Sequence, residues 1–175
     1  MKYLLLVITI LTLNFDAKAE VYLEADPIAY GLNGHSVHLG YEGGGFRMQT
    51  GIFKAEFPDS YKDNDSFDVT QGGYGLKIDW YGRREDGFFL GFEFSKTKVT
   101  LALAGSEVKR DVDLAGIRFG YKIMLGRSWY LTPWIGIDKD ISNSAGERKV
   151  QLNNEIYELR EFTVFPTVHL GLEFF

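Results

Sequence analysis

Residues 166–175, which read Pro-Thr-Val-His-Leu-Gly-Leu-Glu-Phe-Phe, decide the fold. Apolar side chains alternate there with polar or small ones: Val168, Leu170, Leu172 and Phe174 against Thr167, His169, Gly171 and Glu173. A period of two places the two sets on opposite faces of a β-strand. A strand with an apolar outer face and a polar inner face is what a transmembrane β-barrel requires.

Similar alternation recurs along the chain, with turn residues between the segments. There are eight such segments: 21–32, 35–41, 46–57, 69–81, 88–97, 115–123, 129–138 and a last one that starts at about residue 162. Several exceed the roughly 5–6 residues of an average soluble strand and approach the roughly 9–11 of a tilted transmembrane strand. The sequence therefore predicts an all-β fold over residues 20–175, an eight-stranded antiparallel up-and-down transmembrane β-barrel.

The connections between these segments alternate between short and long. Short turns are predicted at 42–45, 83–87 and 125–128, and longer connections at 58–68, 103–110 and 139–161. Such alternation is typical of the two ends of an outer-membrane barrel. Asn33-Gly34 favours a two-residue hairpin turn, and Asn153-Asn154 indicates the tip of a projecting hairpin. Pro27 is awkward within the first segment because it cannot donate to a strand ladder.

The composition suits strands of this kind. The chain holds 20 Gly, 14 Phe and 10 Tyr, which fits small inner positions and an aromatic rim. It has no Cys, so disulfides, thiolate chemistry and cysteine-based metal sites are excluded. A soluble β-sandwich or lipocalin-like barrel is the alternative fold, because its strands would also alternate polar and apolar residues.

Residues 1–19 have the three-part pattern of a secretory signal peptide. Lys2 provides a short basic start, an apolar run covers 3–13, and Ala17-Lys18-Ala19 supplies a small-residue cleavage site. The run is shorter than the about 20 residues that a membrane-spanning helix needs. A mature chain from Glu20 carries a net charge of −6, since the removed segment has two basic residues and one acidic residue. This acidity argues against nucleic acid as a partner, which requires a basic surface.

Together these features resemble the small eight-stranded outer-membrane β-barrel proteins of Gram-negative bacteria. The resemblance rests on the Ala17-Lys18-Ala19 site, the alternating strands and the aromatic end of the chain. That end looks like the carboxyl-terminal signal read by the barrel assembly machinery, with Gly171, Leu172, Phe174 and Phe175 as its residues. The resemblance implies export to the cell outer membrane, contact with its lipid and lipopolysaccharide, and assembly by that machinery.

A second resemblance is more local. An uncharacterised group of bacterial barrel proteins has segments similar to 26–30, 36–41, 131–134 and 165–171. This similarity supports the same architecture. It implies no activity.

The interior of an eight-stranded barrel is narrow enough for side chains to fill it. By alternation, four cations and four anions face inward: Arg47, Lys77, Arg118 and Lys122 with Asp79, Glu93, Asp138 and Glu173. An unpaired charge in so dry a place would cost several kcal/mol. The equal numbers therefore predict a paired charge network that plugs the lumen, which argues against a porin.

A second inward group, formed by Ser36, His38 and His169, is the candidate polar site. A histidine beside a serine or a carboxylate is the beginning of nucleophilic or general acid–base chemistry. The alternative function is therefore a lipid A-modifying acyl enzyme of the same architecture, although the chain carries no motif of such enzymes. His35 and His38 are three residues apart and so point to opposite faces of a strand, which argues against a shared metal ion. No cofactor is expected.

The longer connections offer a surface to the outside. The connection at 58–68 is acidic, and the one at 139–161 mixes charged residues with Ile156, Tyr157 and Leu159. A projecting strand pair there could present an edge to an extracellular partner. The sequence favours a non-catalytic structural or surface-interaction role, with a narrow channel or a hydrophobic-ligand transporter as a further alternative.

Overall fold

The computed structural model describes residues 20–82, 86–144 and 146–174. The predicted signal peptide (1–19), Phe175 and part of the predicted turn at 83–87 lie outside the described residues. Eight antiparallel strands form a closed barrel, which confirms the predicted fold. They are β1 (Glu20–Ala25), β2 (His35–Gly43), β3 (Phe46–Glu56), β4 (Asp68–Trp80), β5 (Gly87–Leu103), β6 (Ser106–Met124), β7 (Trp129–Asp140) and β10 (Phe162–Phe174).

The strands follow one another around the barrel in chain order. The exception is between β7 and β10, which pair with each other although two short strands intervene in the sequence. β1 and β10 close the barrel, with Val21 opposite Phe174 and Ala25 opposite Leu170. Closure gives most backbone groups a partner in a neighbouring strand, as a barrel in lipid requires.

The outer face of the barrel is an apolar belt. At the end with the short turns it finishes in a rim of half-exposed aromatic residues: Phe46, Trp80, Phe88, Trp129 and Phe174. Toward the other end, outward positions become charged at Lys54, Lys96, Asp113 and Lys139. An apolar band with an aromatic rim and charged surroundings is the outer face of a barrel that sits in a bilayer.

The β5–β6 hairpin rises above the rest of the barrel. These strands have 17 and 19 residues, and they continue through the region predicted as a long connection at 103–110. That prediction is wrong because Ala104 and Gly105 form a two-residue turn, with φ of 49° and 82°. Two successive positive φ angles match the twist of the flanking strands, so the hairpin turns tightly and its strands stay paired.

The segment predicted as one strand at 21–32 contains a short helix instead. β1 ends at Ala25, and helix α1 (Pro27–Gly31) follows. The Asp26 side chain accepts hydrogen bonds from the backbone N–H groups of Ile28 and Ala29, and Pro27 occupies the first turn. This capping pattern favours a helix over continuation of the strand, so Asn33-Gly34 is not a two-residue hairpin turn. No helix in the described parts of the chain is long and apolar enough to cross a membrane.

A small β-hairpin lies over the end of the barrel opposite the short turns, which we name the outer end. It consists of β8 (Lys149–Leu152) and β9 (Glu155–Glu158), and its tip contains the predicted residue Asn153, with φ of 54°. A 3₁₀ turn (Asp59–Tyr61) precedes β4 in the neighbouring connection. The hairpin packs on the upper parts of β4–β6 in a cluster that we name the cap, formed by Phe67, Val69, Val99, Leu101, Val112, Val150, Tyr157 and Leu159. The cap is the main apolar core of the described residues.

Candidate functional site

The lumen contains a network of paired charges centred on Arg47. The Arg47 guanidinium lies 2.8 Å from the carboxylate of Glu24 and 3.4 Å from that of Glu42. Lys122 joins the Glu42 carboxylate, 2.9 Å from its Nζ, to that of Glu173 at 2.5 Å. None of the five side chains is more than 8% exposed, so each depends on its partners to offset the cost of burying its charge.

Three tyrosines enclose Arg47 on its remaining sides. Its guanidinium carbon lies 3.7 Å from the ring centre of Tyr22 and 4.7 Å from that of Tyr130. Its nitrogens donate hydrogen bonds to the hydroxyls of Tyr81, at 3.3 Å, and Tyr130. Aromatic faces attract the cation, and the two hydroxyls accept hydrogen bonds from its terminal nitrogens. Arg47 is therefore held rigidly across the lumen.

Inward glycines provide the space for two of these rings. A Cβ atom on Gly40 would overlap the ring of Tyr22, and one on Gly171 would overlap the ring of Tyr130. Gly171 belongs to the predicted assembly signal, so the structure gives this residue a packing position inside the barrel. The other described members of that signal, Leu172 and Phe174, point outward into the apolar belt.

A second ion pair lies beside the first network. Arg118 and Asp79 are completely buried, with 3.2 Å between Nε and Oδ1. The Arg118 guanidinium carbon lies 4.1 Å from the ring centre of Trp134 and 5.2 Å from that of Phe89. This pair fills the part of the lumen between β4, β6 and β7, where Gly91 leaves room for it.

Lys77 differs from the other lumen cations. Its Nζ lies 4.8 Å from the Trp134 ring centre, and among the described residues it has no carboxylate within the 4.0 Å of an ion pair. Glu93 lies opposite Lys77 in the β4–β5 register, and Asp138 lines the same cavity as both of them. Lys77 and these two carboxyls form the wall of a cavity rather than a closed set of ion pairs.

The structure places all eight sequence-predicted charges inside the barrel and adds Glu24 and Glu42. Across the described part of the lumen the carboxyl groups thus outnumber the four cations, so the expectation of equal numbers is wrong. Glu24 was missed because Pro27 disturbs the alternation of its segment, although it lies in phase with Tyr22. Glu42 was missed because it falls in the predicted turn at 42–45, where β2 in fact continues to Gly43.

The candidate polar site brings its three residues together. Ser36 Oγ lies 2.9 Å from His38 Nε2, and the His38 ring stacks on the His169 ring with 5.1 Å between their centres. His169 Nδ1 lies 2.8 Å from Glu24 Oε2, which links this group to the Arg47 network. His35, the third histidine of the chain, is exposed on the opposite face of β2.

The geometry is incomplete for serine-based catalysis. In a catalytic triad an acid orients the histidine through the ring nitrogen that does not contact the serine. Here that atom, Nδ1 of His38, has no hydrogen-bond partner among the described residues, and Glu24 contacts His169 instead. Ser36 is also only 4% exposed. The arrangement can hold a polar chain of hydrogen bonds, but it does not present an oriented nucleophile.

A cavity of about 120 Å³ lies between the charged network and the cap. Its inner end contains His38, Lys77 and Trp134, and its outer end contains Phe57 and Leu114. The surface that it exposes is mostly apolar. Sequence reasoning missed the cavity, because it forms where the lumen side chains become small and no local pattern marks such a space.

The outer connections contact one another through charged and polar groups. Asp63 accepts a hydrogen bond from the backbone N–H of Glu158, which joins the predicted connections 58–68 and 139–161. Lys62 donates a hydrogen bond of 2.7 Å to Asp59, and this bond raises the pKa of the lysine. Burial in the cap raises the pKa of Tyr157. No three metal-ligating side chains converge anywhere in the described ranges.

Comparison with known proteins identifies similar folds. No protein-family model and no curated protein matches the sequence. Neisserial surface protein A is 12% identical, with a TM-score of 0.54 over 89% of this chain and 97% of that chain. A major outer membrane protein from Thermus thermophilus is 11% identical, with a TM-score of 0.59 over 90% and 100%. The N-terminal β-barrel domain of Pseudomonas aeruginosa OprF is 10% identical, with a TM-score of 0.50 over 89% and 96%. This protein is thus a closed eight-stranded antiparallel barrel, with the fold of small outer-membrane proteins.

Proposed function

We propose that this chain is an integral protein of the outer membrane, exported by a cleaved signal peptide at 1–19, with a non-catalytic structural or surface-interaction role. One observation carries the proposal: an apolar belt surrounds a lumen filled with buried, paired charges. A soluble barrel would place its charges outside and its apolar side chains within. The opposite arrangement is stable only where lipid covers the outer face.

The barrel is sealed under this proposal. The Arg47 and Arg118 pairs block the lumen at the level of the belt, and the cap covers its outer end. Passage of ions would require these pairs to separate in a narrow, dry interior, at a cost of several kcal/mol for each unpaired charge. The barrel therefore acts as a rigid anchor that holds its outer connections above the membrane.

Two experiments test this function. After expression in a Gram-negative host, the protein is expected in the outer-membrane fraction and should migrate differently on a gel with and without boiling. Recovery in the soluble periplasmic fraction would overturn membrane insertion. In planar bilayers the purified barrel is expected to give no steady conductance, whereas stable ion currents would contradict a sealed lumen and support the narrow-channel alternative.

The surface-interaction part of the proposal concerns connections 58–68 and 139–161. The Asp63–Glu158 contact holds them together, and Ile156 of the hairpin is 55% exposed. Charged side chains around an exposed apolar residue can bind an extracellular partner or order the surrounding lipopolysaccharide. Replacement of 149–158 by a short Gly-Ser linker should abolish such binding and leave the heat-modifiable barrel intact.

The second candidate function, a lipid A-modifying acyl enzyme, rests on the contact between Ser36 and His38. Lipid A is compared between cells that express the unmodified chain and cells that express its Ser36→Ala or His38→Ala variant. If the barrel is non-catalytic, the acyl composition should be the same in all of them. A change in acylation that only the unmodified chain produces would favour the enzyme. Mass spectrometry of extracted lipid A makes the comparison.

The aromatic end of the chain is proposed to guide assembly. Phe174 is nearly half exposed in the belt, so its ring is available to the barrel assembly machinery before insertion. Replacement of Phe174 and Phe175 by Ser should lower the yield of assembled barrel in cells. The purified variant should still fold in detergent, because the Phe174 ring lies in the belt and not in the lumen network.

A further inference from the structure

The barrel wall is incomplete beside the outer half of β10. β1 ends opposite Leu170, so residues 162–169 of β10 pair with β7 but with no strand on their other side. β1 ends at Ala25, whereas its partner β10 extends outward to Phe162. Phe162 and Val164 still face outward and are about half exposed. The missing part of the wall therefore lies at the level of the apolar belt.

Helix α1 fills this gap, and we name its boundary with β10 the seam. Ala29 of the helix is buried and lines the cavity, whereas Ile28 is exposed on the outer face. Thr167 Oγ1 donates a hydrogen bond of 2.7 Å to Asp26 across the seam. Within the described ranges no backbone hydrogen bond joins α1 to β10. The seam thus depends on side-chain packing and this contact, whereas the rest of the wall has a continuous ladder.

Apolar space lies on both sides of the seam. On the inside is the cavity, which Phe165 of β10 lines. On the outside is a groove in the belt, bordered at the seam by Ile28, Pro166 and Val168 and continuing across β7 and β6. Trp134 contributes to the walls of both spaces. The wall between the cavity and the lipid-facing surface is therefore a single layer of strand and helix.

We propose that the seam is a lateral entrance through which the end of a lipid acyl chain occupies the cavity. This inference rests on the membrane insertion proposed above, because the groove must face lipid. Hydrocarbon is the appropriate ligand for the part of the cavity beside Ala29 and Phe165, away from Lys77, since most of the surface that the cavity exposes is apolar and the entrance lies within the belt. An apolar cavity of roughly 150 Å³ can bind benzene, so one of about 120 Å³ holds the last few methylene groups of a chain. The groove accommodates the part of the chain that stays outside.

Trp134 provides a direct probe of occupancy. The chain contains three Trp, and Trp80→Phe with Trp129→Phe leaves Trp134 alone. This variant is inserted into phosphatidylcholine bilayers whose acyl chains are brominated near their ends, with unbrominated bilayers as the reference. The residue for comparison is Trp80, measured in the Trp129→Phe/Trp134→Phe variant. Quenching of Trp134 is expected to reach at least about half the quenching of Trp80, because an acyl chain in the cavity brings bromine into contact with the Trp134 ring.

Variants that fill the cavity provide the control for simple proximity to lipid. Ala55→Leu and Ser95→Leu each place a larger side chain in the cavity, whereas Ala115→Leu, on the outer face of β6, does not. In the Trp134-only background, either filling variant is expected to reduce quenching by about half, since the chain and the new side chain compete for the same volume. Ala115→Leu should leave quenching unchanged.

The outcomes separate this inference from the proposed function. Two results in an inserted, heat-modifiable barrel would refute the lateral entrance and leave the membrane function standing. One is that Trp134 is quenched far less than Trp80. The other is that Trp134 is quenched equally in the filling variants and in Ala115→Leu. If the protein does not insert at all, both proposals fail. The comparison of Trp134 with Trp80 requires no filling variant, so weak quenching of Trp134 would overturn the inference even if Ala55→Leu and Ser95→Leu do not fold.

Discussion

Replacement of Arg47 by Met is the most direct perturbation of the lumen network. The substitution keeps much of the side-chain volume but removes the charge that lies 2.8 Å from Glu24 and 3.4 Å from Glu42. Both carboxylates would stay buried, and the hydroxyls of Tyr81 and Tyr130 would lose their donor. The barrel should therefore be much less stable, while its outer face is unchanged.

The expected loss follows from the burial of these groups. Two unit charges about 4 Å apart interact by about 4 kcal/mol at the effective dielectric of a protein site. Removal of one partner from a buried pair typically costs about 3–5 kcal/mol, since it leaves an uncompensated charge. We expect Arg47→Met to lower the free energy of unfolding by that amount. Arg47→Met/Glu24→Gln should recover part of the loss, because one of the unpaired charges is then absent.

Urea unfolding of the barrel in lipid vesicles, followed by tryptophan fluorescence, measures these differences. Lys98→Met is the matched control, since Lys98 pairs with Asp111 at 3.7 Å but both side chains are more than half exposed. Exposed pairs contribute about 0–1 kcal/mol, so this control should be nearly silent. A loss for Arg47→Met no larger than that of Lys98→Met would refute the network as a stabilising element, as would no recovery in the double variant.

Three further predictions concern other parts of the molecule. Gly171→Ala should destabilise the barrel by about 1–3 kcal/mol, because the new Cβ would overlap the Tyr130 ring. Gly126→Ala is the control, since there is open space around Gly126. Equal urea midpoints for the two variants would contradict the prediction. Ala104→Gly should stabilise the β5–β6 hairpin by about 1 kcal/mol, since a φ of 49° strains a residue that carries a side chain. Slower proteolytic cleavage near the turn in the variant would show this stabilisation. Hydrogen bonds from the Ser144 backbone N–H and hydroxyl lower the pKa of Glu147. The stability contributed by an acidic group with a lowered pKa is present above its ordinary pKa. It is lost as the pH falls through the pKa of the group in the folded protein. The Ser144 amide should then be protected from hydrogen exchange at neutral pH and lose that protection in acid, with no such change in Glu147→Gln.

The sequence was sufficient for the barrel because the fold depends on a repeated pattern. Phe88, Leu90 and Phe92 alternate with small or polar residues over a length that lipid requires, and similar alternation recurs in seven other segments. The pattern failed where local capping was stronger than strand propensity, as with Asp26 and Pro27 in α1. It also failed at 103–110, because polarity alone does not distinguish a loop from an exposed, paired strand.

Most of the charges in the lumen could be predicted, but not their contacts. Alternation places Arg47 and Glu173 inside, yet it does not give the stagger of the strands that decides which charges meet. Arg47 therefore pairs with Glu24 and Glu42, neither of which was in the predicted set. The stacking of His38 on His169 depends in the same way on strands that are far apart in the sequence.

The pairing of Val21 with Phe174 has a consequence for folding kinetics. All but two of the strand pairs in the barrel join consecutive segments, so they can form as local hairpins with little loop-closure entropy. The β1–β10 pair joins segments from near the two ends of the described chain, and its hydrogen bonds cannot form until both are in place. Since unpaired strand edges are costly in hydrocarbon, an intermediate without this pair should stay at the membrane surface. Insertion and closure should then occur in one step, with a rate that is sensitive to changes at Val21 or Phe174 and insensitive to changes in the β8–β9 hairpin.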